Sequence, residues 1–307
     1  MEKRVIVIVG PTCSGKTSVS LILAQKLGTE IISADSRQIY KLLSIGTAKP
    51  TSDEITSIKH HFVDSLNPDE DFNVSKFEIE ALKIIDNLHS LNKIPIVVGG
   101  SGLYIRAIVD GLWNDVDTDD AYRKELMDEK EKFGNQFLYE KLVICDPKSA
   151  ETMLPQNWKR VIRALEVFHI TGKSLVEFHQ EHKRESDLEF YQFGLNWERE
   201  VLYKNIETRV DEMIDAGLVD EVKSILSADY STELNSLNTV GYKEVISHLN
   251  VEYNLERAIE LIKRNTRRFA KRQMTWFRKD KNIHWFDVQD KNDIEEIGKS
   301  IVLKFNT

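Results

Sequence analysis

The sequence predicts an α/β protein: a P-loop, doubly wound, mostly parallel sheet with an inserted helical domain. Short Val- and Ile-rich runs alternate with helical patterns, which is typical of a parallel sheet covered on both faces. The first of these runs leads into a glycine-rich loop that is followed directly by a helix. Beyond Leu112 the strand pattern stops until Phe190, and helical periodicity takes its place.

Five elements make up the first part of the predicted core. Arg4–Val9 is a buried strand, because every residue after Arg4 is Val or Ile. Lys16–Leu27 is a helix with its larger apolar residues on one face and a glycine as its stop signal. Further strands are predicted at Glu30–Ser33 and Ile94–Val98, with a helix at Phe77–Leu91 between them.

The domain division follows from the change of pattern after Leu112. An acidic connector at residues 115–120 opens a segment that has a helical texture from about Ala121 to His182. The predicted domains are a first part of the core (1–112), an inserted helical domain (113–189) and a second part of the core (190–307). The alternative is that these helices pack on the sheet. The second part is predicted to contain strands at Phe190–Trp197 and Ile283–Phe286 and helices at Glu200–Leu226 and Leu255–Phe277.

Composition narrows the class of protein. Two cysteines among 307 residues exclude a disulfide framework and a four-cysteine zinc site. No run approaches 18 apolar residues, so no membrane span is expected. The first residues show no signal-peptide pattern, and a cytoplasmic location is therefore expected. The adjacent histidines His60 and His61 favour a structural role over a metal site, since neighbours on a strand point to opposite faces.

The glycine-rich loop matches the pattern G-x-x-x-x-G-K-[ST] in the context of a strand before it and a helix after it. Its glycines let successive backbone N–H groups cradle phosphate oxygens, and the helix N-terminus adds partial positive charge. A lysine supplies a cation, and a threonine hydroxyl can reach Mg²⁺. The predicted phosphate-binding residues are Gly10, Pro11, Thr12, Cys13, Ser14, Gly15, Lys16 and Thr17, with Thr17 also the candidate metal ligand.

A carboxylate follows the second predicted strand. Asp35 lies at the carboxyl edge of the sheet, facing the phosphate loop. Four roles stay open on the pattern alone: a Mg²⁺ ligand, a base for a hydroxyl acceptor, a base for a nitrogen acceptor, or a helix N-cap. Three hydrogen-bonding side chains follow it, at residues 36–38.

At this point the sequence resembles the tRNA dimethylallyltransferase (tRNA isopentenyltransferase) family, in its bacterial form. The resemblance runs along almost the whole chain, in the expected order and spacing. The matching segments are 10–17, 33–40 (SADSRQIY), 46–50 (GTAKP), 60–61, 98–104 (VGGSGLY), 160–166 (RVIRALE), 240–243 (VGYK) and 267–278 (RRFAKRQMTWFR). Many eukaryotic members of this family carry a C-terminal zinc finger, but only two cysteines are present here, so no zinc finger is expected.

The resemblance implies transfer of a dimethylallyl group from dimethylallyl diphosphate to N6 of adenosine 37, next to the tRNA anticodon, with release of pyrophosphate. It implies that Asp35 is the base and that Ser101 lies near the reacting amine. It also implies that Arg209 joins the phosphate loop in binding the diphosphate and that Mg²⁺ is the cofactor. The implied contacts with the anticodon stem-loop are Ser36, Arg37, Gln38, Arg123, Lys159, Arg160 and Arg163.

One strongly basic segment fits an RNA partner. Between Lys263 and Lys281 the local charge is +8, although the whole chain carries −8. On a helix, five cations fall on one face, here called the basic stripe: Arg264, Arg267, Arg268, Lys271 and Arg272. Ile262, Phe269, Ala270, Met274 and Phe277 fall on the opposite face, which is expected to pack on the core. Arg264, Arg268, Lys271 and Arg272 are the predicted tRNA contacts. The alternative is that this basic segment is a solvated, salt-bridged helix with no RNA partner.

Two other functions remain as alternatives. A P-loop small-molecule or nucleoside kinase would share the loop, the Mg²⁺ and the acid after the second strand. The basic segment and the helical insertion argue against it, since a small substrate needs neither. A nucleotide-dependent RNA-binding switch would lack the transfer chemistry.

Overall fold

The computed structural model describes residues 3–111, 118–177 and 186–305. The chain forms two compact units. The first contains the residues up to Val109 and those from Asp187 onward, and the second is Asp110–Ser186. None of the described helices combines the length and the apolar character that crossing a bilayer requires.

The first unit is built on one six-stranded sheet whose paired strands are all parallel. Its strands are β1 (Lys3–Val9), β2 (Ile31–Ser33), β3 (His60–His61), β4 (Ile96–Gly99), β5 (Leu188–Trp197) and β6 (His284–Val288). Their order is β3–β2–β4–β1–β5–β6. On one side of β1 the sheet continues with β4, β2 and β3, and on the other side with β5 and β6. The loop after β1 therefore lies at the topological switch point, where sheets of this kind bind ligands.

Helices flank the sheet in the first unit and make up the second. The helices before the insertion are α1 (Lys16–Leu27), α2 (Ser52–Ser57), α3 (Val74–Ser90) and α4 (Gly102–Val109). The described helices of the second unit are α5 (Asp120–Cys145), α6 (Pro147–Ala150) and α7 (Trp158–Thr171), with a 3₁₀ turn at Pro155–Asn157. Those after it are α8 (Arg199–Asp215), α9 (Leu218–Ser227), α10 (Tyr242–Leu249), α11 (Leu255–Phe277) and α12 (Lys291–Phe305).

Each unit is stabilised by its own apolar clusters, two in the first unit and one in the second. Alternate residues of β1 enter the two clusters of the first unit: Val5, Val7 and Val9 lie in one, and Ile6 and Ile8 in the other. This division places one cluster on each face of the sheet. The second unit has a separate cluster, formed by α5, α6 and α7 and centred on residues such as Leu126, Leu138, Leu142, Val161 and Leu165.

The predicted fold class is confirmed. The predicted helix at Glu200–Leu226 is wrong, because the chain forms α8 and α9 with a break at Gly217. Gly217 has a φ of 95°, in the left-handed region that glycine adopts without strain. Four helices were not predicted: α2, α4, α10 and the 15-residue α12. Residues 115–117 of the predicted connector and 178–182 of the predicted helical segment lie outside the described residues.

Candidate active site

A cavity of about 410 Å³ opens at the carboxyl edge of the sheet in the first unit. Residues of the segments after β1, β2 and β4 line it, together with residues of α8 and α11 and of the segment between α9 and α10. All of its lining residues belong to the first unit. The volume lies within the range of small-molecule sites, roughly 300–1,000 Å³.

The loop between β1 and α1 presents unpaired backbone N–H groups to this cavity. Cys13 (φ 62°) and Gly15 (φ 89°) adopt the left-handed conformation, which turns successive amides toward one side. Among the described residues, none accepts a hydrogen bond from the N–H groups of residues 13–17. The Ser14 hydroxyl is also buried without a partner. Such a run of donors at a helix N-terminus fits an anion with several oxygens.

Two cations complete the anion site. The Lys16 ammonium donates a hydrogen bond to the Pro11 carbonyl at 2.6 Å, which holds it over the loop. Burial lowers the pKa of Lys16 to about 8, although the nearby Asp35 carboxylate opposes the shift. Arg209 on α8 also lines the cavity, and its charge adds to the lowering of the Lys16 pKa. Of the predicted phosphate-binding residues, Gly10 and Pro11 do not line the cavity, whereas residues 12–17 and Arg209 do.

Asp35 and Ser101 line the same cavity, in the segments that follow the neighbouring strands β2 and β4. One oxygen of Asp35, Oδ1, accepts hydrogen bonds from the backbone N–H groups of Arg37 (2.8 Å) and Gln38 (3.3 Å). The other oxygen has no hydrogen-bond donor among the described residues. The Ser101 hydroxyl oxygen accepts from the Ser36 N–H at 3.2 Å. Asp35 therefore makes the cap-like contacts that its sequence context allows, and keeps one oxygen free for chemistry.

Arg37 and Gln38 line the same cavity but differ in how they are held. The Arg37 guanidinium donates to the Asn235 carbonyl at 2.6 Å, and burial lowers its pKa. Gln38 uses both ends of its amide internally: its oxygen accepts from the Ser33 hydroxyl, and its nitrogen donates to the carbonyls of residues 47 and 48. Gln38 therefore stabilises the cavity wall, whereas Arg37, whose guanidinium carries five N–H groups, uses one of them in a hydrogen bond to a described residue.

A carboxylate that the sequence analysis missed supports this wall. Glu221 on α9 accepts hydrogen bonds from three successive backbone N–H groups, those of residues 44–46, and from the Tyr242 hydroxyl at 2.6 Å. Burial and the adjacent Glu221 raise the pKa of Tyr242. A Cβ at Gly46 would lie 2.4 Å from the Tyr242 ring, so only glycine fits there. Glu221 lies far from this turn along the chain, and no local signal marks the contact.

His60 also lines the cavity. Its Nδ1 lies 2.7 Å from the Ile58 carbonyl, which requires the hydrogen on Nδ1 and leaves Nε2 buried without a partner. Burial lowers the pKa of His60. His61 pairs instead with Glu30, at 2.7 Å. Within the described part of the chain, no group of three His, Cys, Asp or Glu side chains is arranged to hold a metal.

Helix α11 carries the basic stripe, and its cations fall into two sets. Arg267 forms an ion pair with Glu207, and the neighbouring Lys263 pairs with Asp211. Arg264, Arg268 and Lys271 are exposed, and no acidic side chain of the described residues pairs with them. Arg272 is exposed at the cavity and lies over the Phe269 ring, 5.8 Å from its centre. The predicted tRNA contacts on this helix are therefore its unpaired cations.

The opposite face of α11 differs from the prediction at two positions. Phe269 was expected to pack on the core, but it is 38% exposed and lines the cavity. Gln273, a polar residue, lies in the buried face between Ile262, Ala270 and Phe277. The helical period brings position 273 to the centre of this face, and its side chain reaches the phosphate loop and the segment after β4.

In the second unit, the predicted tRNA contacts Arg123 and Arg163 converge on one buried carboxylate. Glu166 is fully buried and accepts from Arg123 (2.7 and 2.9 Å), from Arg163 and from the backbone N–H of Asp119. The other predicted contacts in this unit, Lys159 and Arg160, are exposed on α7. The buried carboxylate of Glu166 fixes the orientation of two guanidinium groups. Exposed arginines without such a partner have no fixed orientation.

The fold and this cavity define the class: a P-loop α/β protein whose loop is arranged to bind the phosphates of a ligand next to a carboxylate. The family model described as IPP transferase matches residues 38–280. The chain therefore belongs to the IPP transferase family, and the resemblance found in the sequence is confirmed.

Individual relatives agree with this assignment. The tRNA dimethylallyltransferase of Pelotomaculum thermopropionicum is 46% identical over 302 residues, which cover 98% of this chain and 96% of that protein. The tRNA isopentenylpyrophosphate transferase of Bacillus halodurans has a solved structure that matches with a TM-score of 0.72 at 40% identity, over 100% of this chain and 97% of that one. A eukaryotic dimethylallyltransferase, described as acting on tRNA, matches with a TM-score of 0.82 at 32% identity, over 97% of this chain and 77% of that one.

Proposed function

We propose that this chain transfers a dimethylallyl group from dimethylallyl diphosphate to N6 of adenosine 37 in tRNA and releases pyrophosphate. The observation that carries the proposal is one cavity that is lined both by the N–H groups and cations of the phosphate loop region and by a carboxylate, Asp35, with an oxygen that accepts no hydrogen bond from a described residue. The relatives named above are enzymes of this kind, and a small-molecule kinase is not favoured.

The donor diphosphate would occupy the phosphate loop. The N–H groups of residues 13–17, Lys16 and Arg209 supply the positive potential, and they recognise phosphate rather than a base. Because charge accumulates on the diphosphate as it leaves, these fixed donors stabilise the transition state more than the ground state.

The acceptor amine would arrive at Asp35. The N6 nitrogen attacks C1 of the dimethylallyl group, the C1–O bond breaks, and its electron pair leaves with pyrophosphate. The proton lost from N6 goes to the free oxygen of Asp35, while two backbone N–H groups hold the other oxygen in place. An adenine inside a folded anticodon loop reaches this cavity only if it leaves its stack.

Mg²⁺ fits the donor side of the site. The Thr17 hydroxyl lines the cavity at the start of α1, and no hydrogen bond to a described residue occupies it. Mg²⁺ commonly binds with few protein ligands and completes its shell with phosphate oxygens and water. Bound there through Thr17, the ion would neutralise charge on the diphosphate.

The RNA would contact three sets of residues: those beside Asp35, the unpaired cations of α11 and the basic residues of the second unit. Ser36, Arg37 and Gln38 form the rim where the base enters, with Gln38 acting through the wall it braces. The unpaired cations of α11 would contact phosphates, and a helix face of Lys and Arg is suited to this. In the second unit, Arg123 and Arg163, held by Glu166, and the exposed Lys159 and Arg160 would bind further phosphates.

The test is a transfer assay with purified protein, Mg²⁺, tRNA and dimethylallyl diphosphate in the absence of ATP. We expect one modified adenosine per tRNA, located at position 37 by mass analysis of fragments, with pyrophosphate released in equal amount. The variant Lys16→Ala should lose donor use while tRNA binding is retained. Strict ATP dependence, or phosphate transfer from ATP to a small acceptor without a modified adenosine, would establish the kinase instead.

A further inference from the structure

Gln273 is the one buried polar residue on the core face of α11 among the described residues. Its side chain is 7% exposed, and its neighbours on that face are apolar. A buried amide without hydrogen bonds is costly, so its partners show what the residue is for.

Both ends of the amide bond to backbone groups of the active site. Oε1 accepts a hydrogen bond from the Thr12 N–H in the phosphate loop at 2.9 Å. Nε2 donates to the Gly100 carbonyl, in the segment after β4, at 3.0 Å. The two partners lie 261 and 173 residues away along the chain, and one side chain thus joins three separate elements.

The segment after β4 is shaped to receive α11. A Cβ at Gly100 would lie 2.2 Å from Nε2 of Gln273, and a Cβ at Gly102 would lie 2.2 Å from the Trp276 ring. Ser101 lies between these glycines, and its hydroxyl accepts from the Ser36 N–H next to Asp35. Helix α11 therefore packs against the backbone on both sides of Ser101.

We propose that Gln273 is a positioning residue that sets the phosphate loop and Ser101 relative to each other from the helix that carries the basic stripe. It occupies the Thr12 N–H, so the diphosphate receives the amides of residues 13–17, and it fixes the backbone on which Ser101 stands. This inference rests on the proposed transferase function, and it assigns to α11 a second task besides binding RNA.

The expected consequence is a loss in donor binding and in transfer, with RNA binding retained. The variant Gln273→Met keeps the length of the side chain and removes both hydrogen bonds. We expect the KM for dimethylallyl diphosphate to rise and kcat to fall, each about tenfold, while the dissociation constant for tRNA stays within twofold. Gln192→Met is the matched control, because Gln192 is also buried and donates to Asp280 away from the cavity.

A second variant approaches the same hydrogen bond from its partner. Gly100→Ala places a methyl group against Nε2 and should reproduce the kinetic pattern of Gln273→Met. In the double variant, the loss of activity should be smaller than the product of the two separate losses, because both changes disrupt the same hydrogen bond, from Nε2 of Gln273 to the Gly100 carbonyl. This variant decides the question if Gln273→Met does not fold.

Three results would overturn the inference. They are parental kinetics in Gln273→Met, an equal kinetic loss in Gln192→Met, and a loss of tRNA affinity with an unchanged donor KM. Calorimetric titration with pyrophosphate alone separates this inference from the proposed function. If the parent protein transfers nothing, the pyrophosphate affinity of Gln273→Met relative to the parent still decides whether Gln273 orders the loop.

Discussion

The two oxygens of Asp35 have different environments, and this difference suits a base. The backbone N–H groups of Arg37 and Gln38 both donate to one oxygen, while the other oxygen accepts no hydrogen bond from a described residue and is open to a proton. A helix cap alone would need only the first of these contacts. The free oxygen therefore favours the proposed role of Asp35 as a base over a purely structural role.

We predict that Asp35→Asn lowers single-turnover transfer by about 10²-fold or more, because the amide still accepts the two N–H groups but takes no proton. Binding of tRNA should stay within a few-fold of the parent. Asp293→Asn is the control, since Asp293 also accepts two backbone N–H groups, those of residues 289 and 290, outside the cavity. A transfer rate close to that of the parent in Asp35→Asn would exclude Asp35 as the base.

Lys16 gives the anion site a pH dependence near neutrality. Its pKa of about 8 without ligand means that the ammonium is largely charged at pH 7 and largely neutral at pH 9. A bound diphosphate favours the charged form, so binding takes up protons as the pH approaches and passes 8. Affinity is therefore expected to be greatest below this pH and to fall above it.

We predict that the Kd for pyrophosphate rises between pH 7 and 9, approaching tenfold per pH unit above about 8. Lys16→Met is the reference, because the titration of the ligand itself affects both proteins equally. Calorimetry in buffers of different ionisation enthalpy should detect proton uptake by the parent and less by the variant. A constant ratio of the two Kd values across this pH range would contradict the prediction.

Helix α11 divides its cations between the protein and the solvent. The ion pairs of Lys263 and Arg267 join it to α8, whereas Arg264, Arg268, Lys271 and Arg272 have no acidic partner among the described residues. Surface ion pairs contribute little to stability, but an unpaired cation is available to a phosphate. The unpaired set is thus the part of the helix that RNA would use.

We predict that neutralising Arg268 and Arg272 to Gln weakens tRNA binding and flattens its salt dependence. Each lost phosphate contact should reduce the slope of log K against log salt by about 0.7–0.9. The matched double variant changes Lys263 and Arg267 to Gln and should reduce the slope by less than half as much. Equal slopes in both double variants would identify the basic stripe as a solvated face.

Local patterns predicted the elements next to the phosphate loop well. The bounds of α1 were predicted to the residue, because the lysine of the loop motif begins the helix and Gly28 ends it. The break at Gly217 was missed, since the apolar pattern continues from α8 into α9. It depends on one residue in the left-handed conformation, and glycine permits this without requiring it.

The parts of the site that belong to a sequence motif could be predicted. The parts that depend on contacts between distant segments of the chain could not. The loop and the position of Asp35 follow from the ends of strands, which the sequence marks. Glu221 holding residues 44–46 and Gln273 joining Thr12 to Gly100 depend on contacts between distant parts of the chain. The exposure of Phe269 was missed for the same reason, because helical spacing shows which residues share a face and not where the cavity lies.

On the scale of the whole molecule, each unit has its own apolar core. The first contains two clusters, one on each face of the sheet, and the second contains the cluster of α5, α6 and α7. All residues that line the cavity belong to the first unit, including both cations of the anion site. A ligand bound in this cavity is therefore expected to stabilise the first unit and to leave the stability of the second unit unchanged.

We predict that pyrophosphate stabilises the first unit selectively. A ligand at 100 times its Kd stabilises the fold that binds it by about 2.7 kcal/mol, and local openings that destroy the site are suppressed to the same degree. Hydrogen exchange followed by mass spectrometry should show slower exchange in peptides covering residues 10–17, 33–38 and 98–102. Peptides covering residues 120–171 should exchange at unchanged rates.

The variant Lys16→Met should show little protection anywhere at the same pyrophosphate concentration. Protection of equal size in α5 and α7 would contradict the assignment of the anion site to the first unit alone.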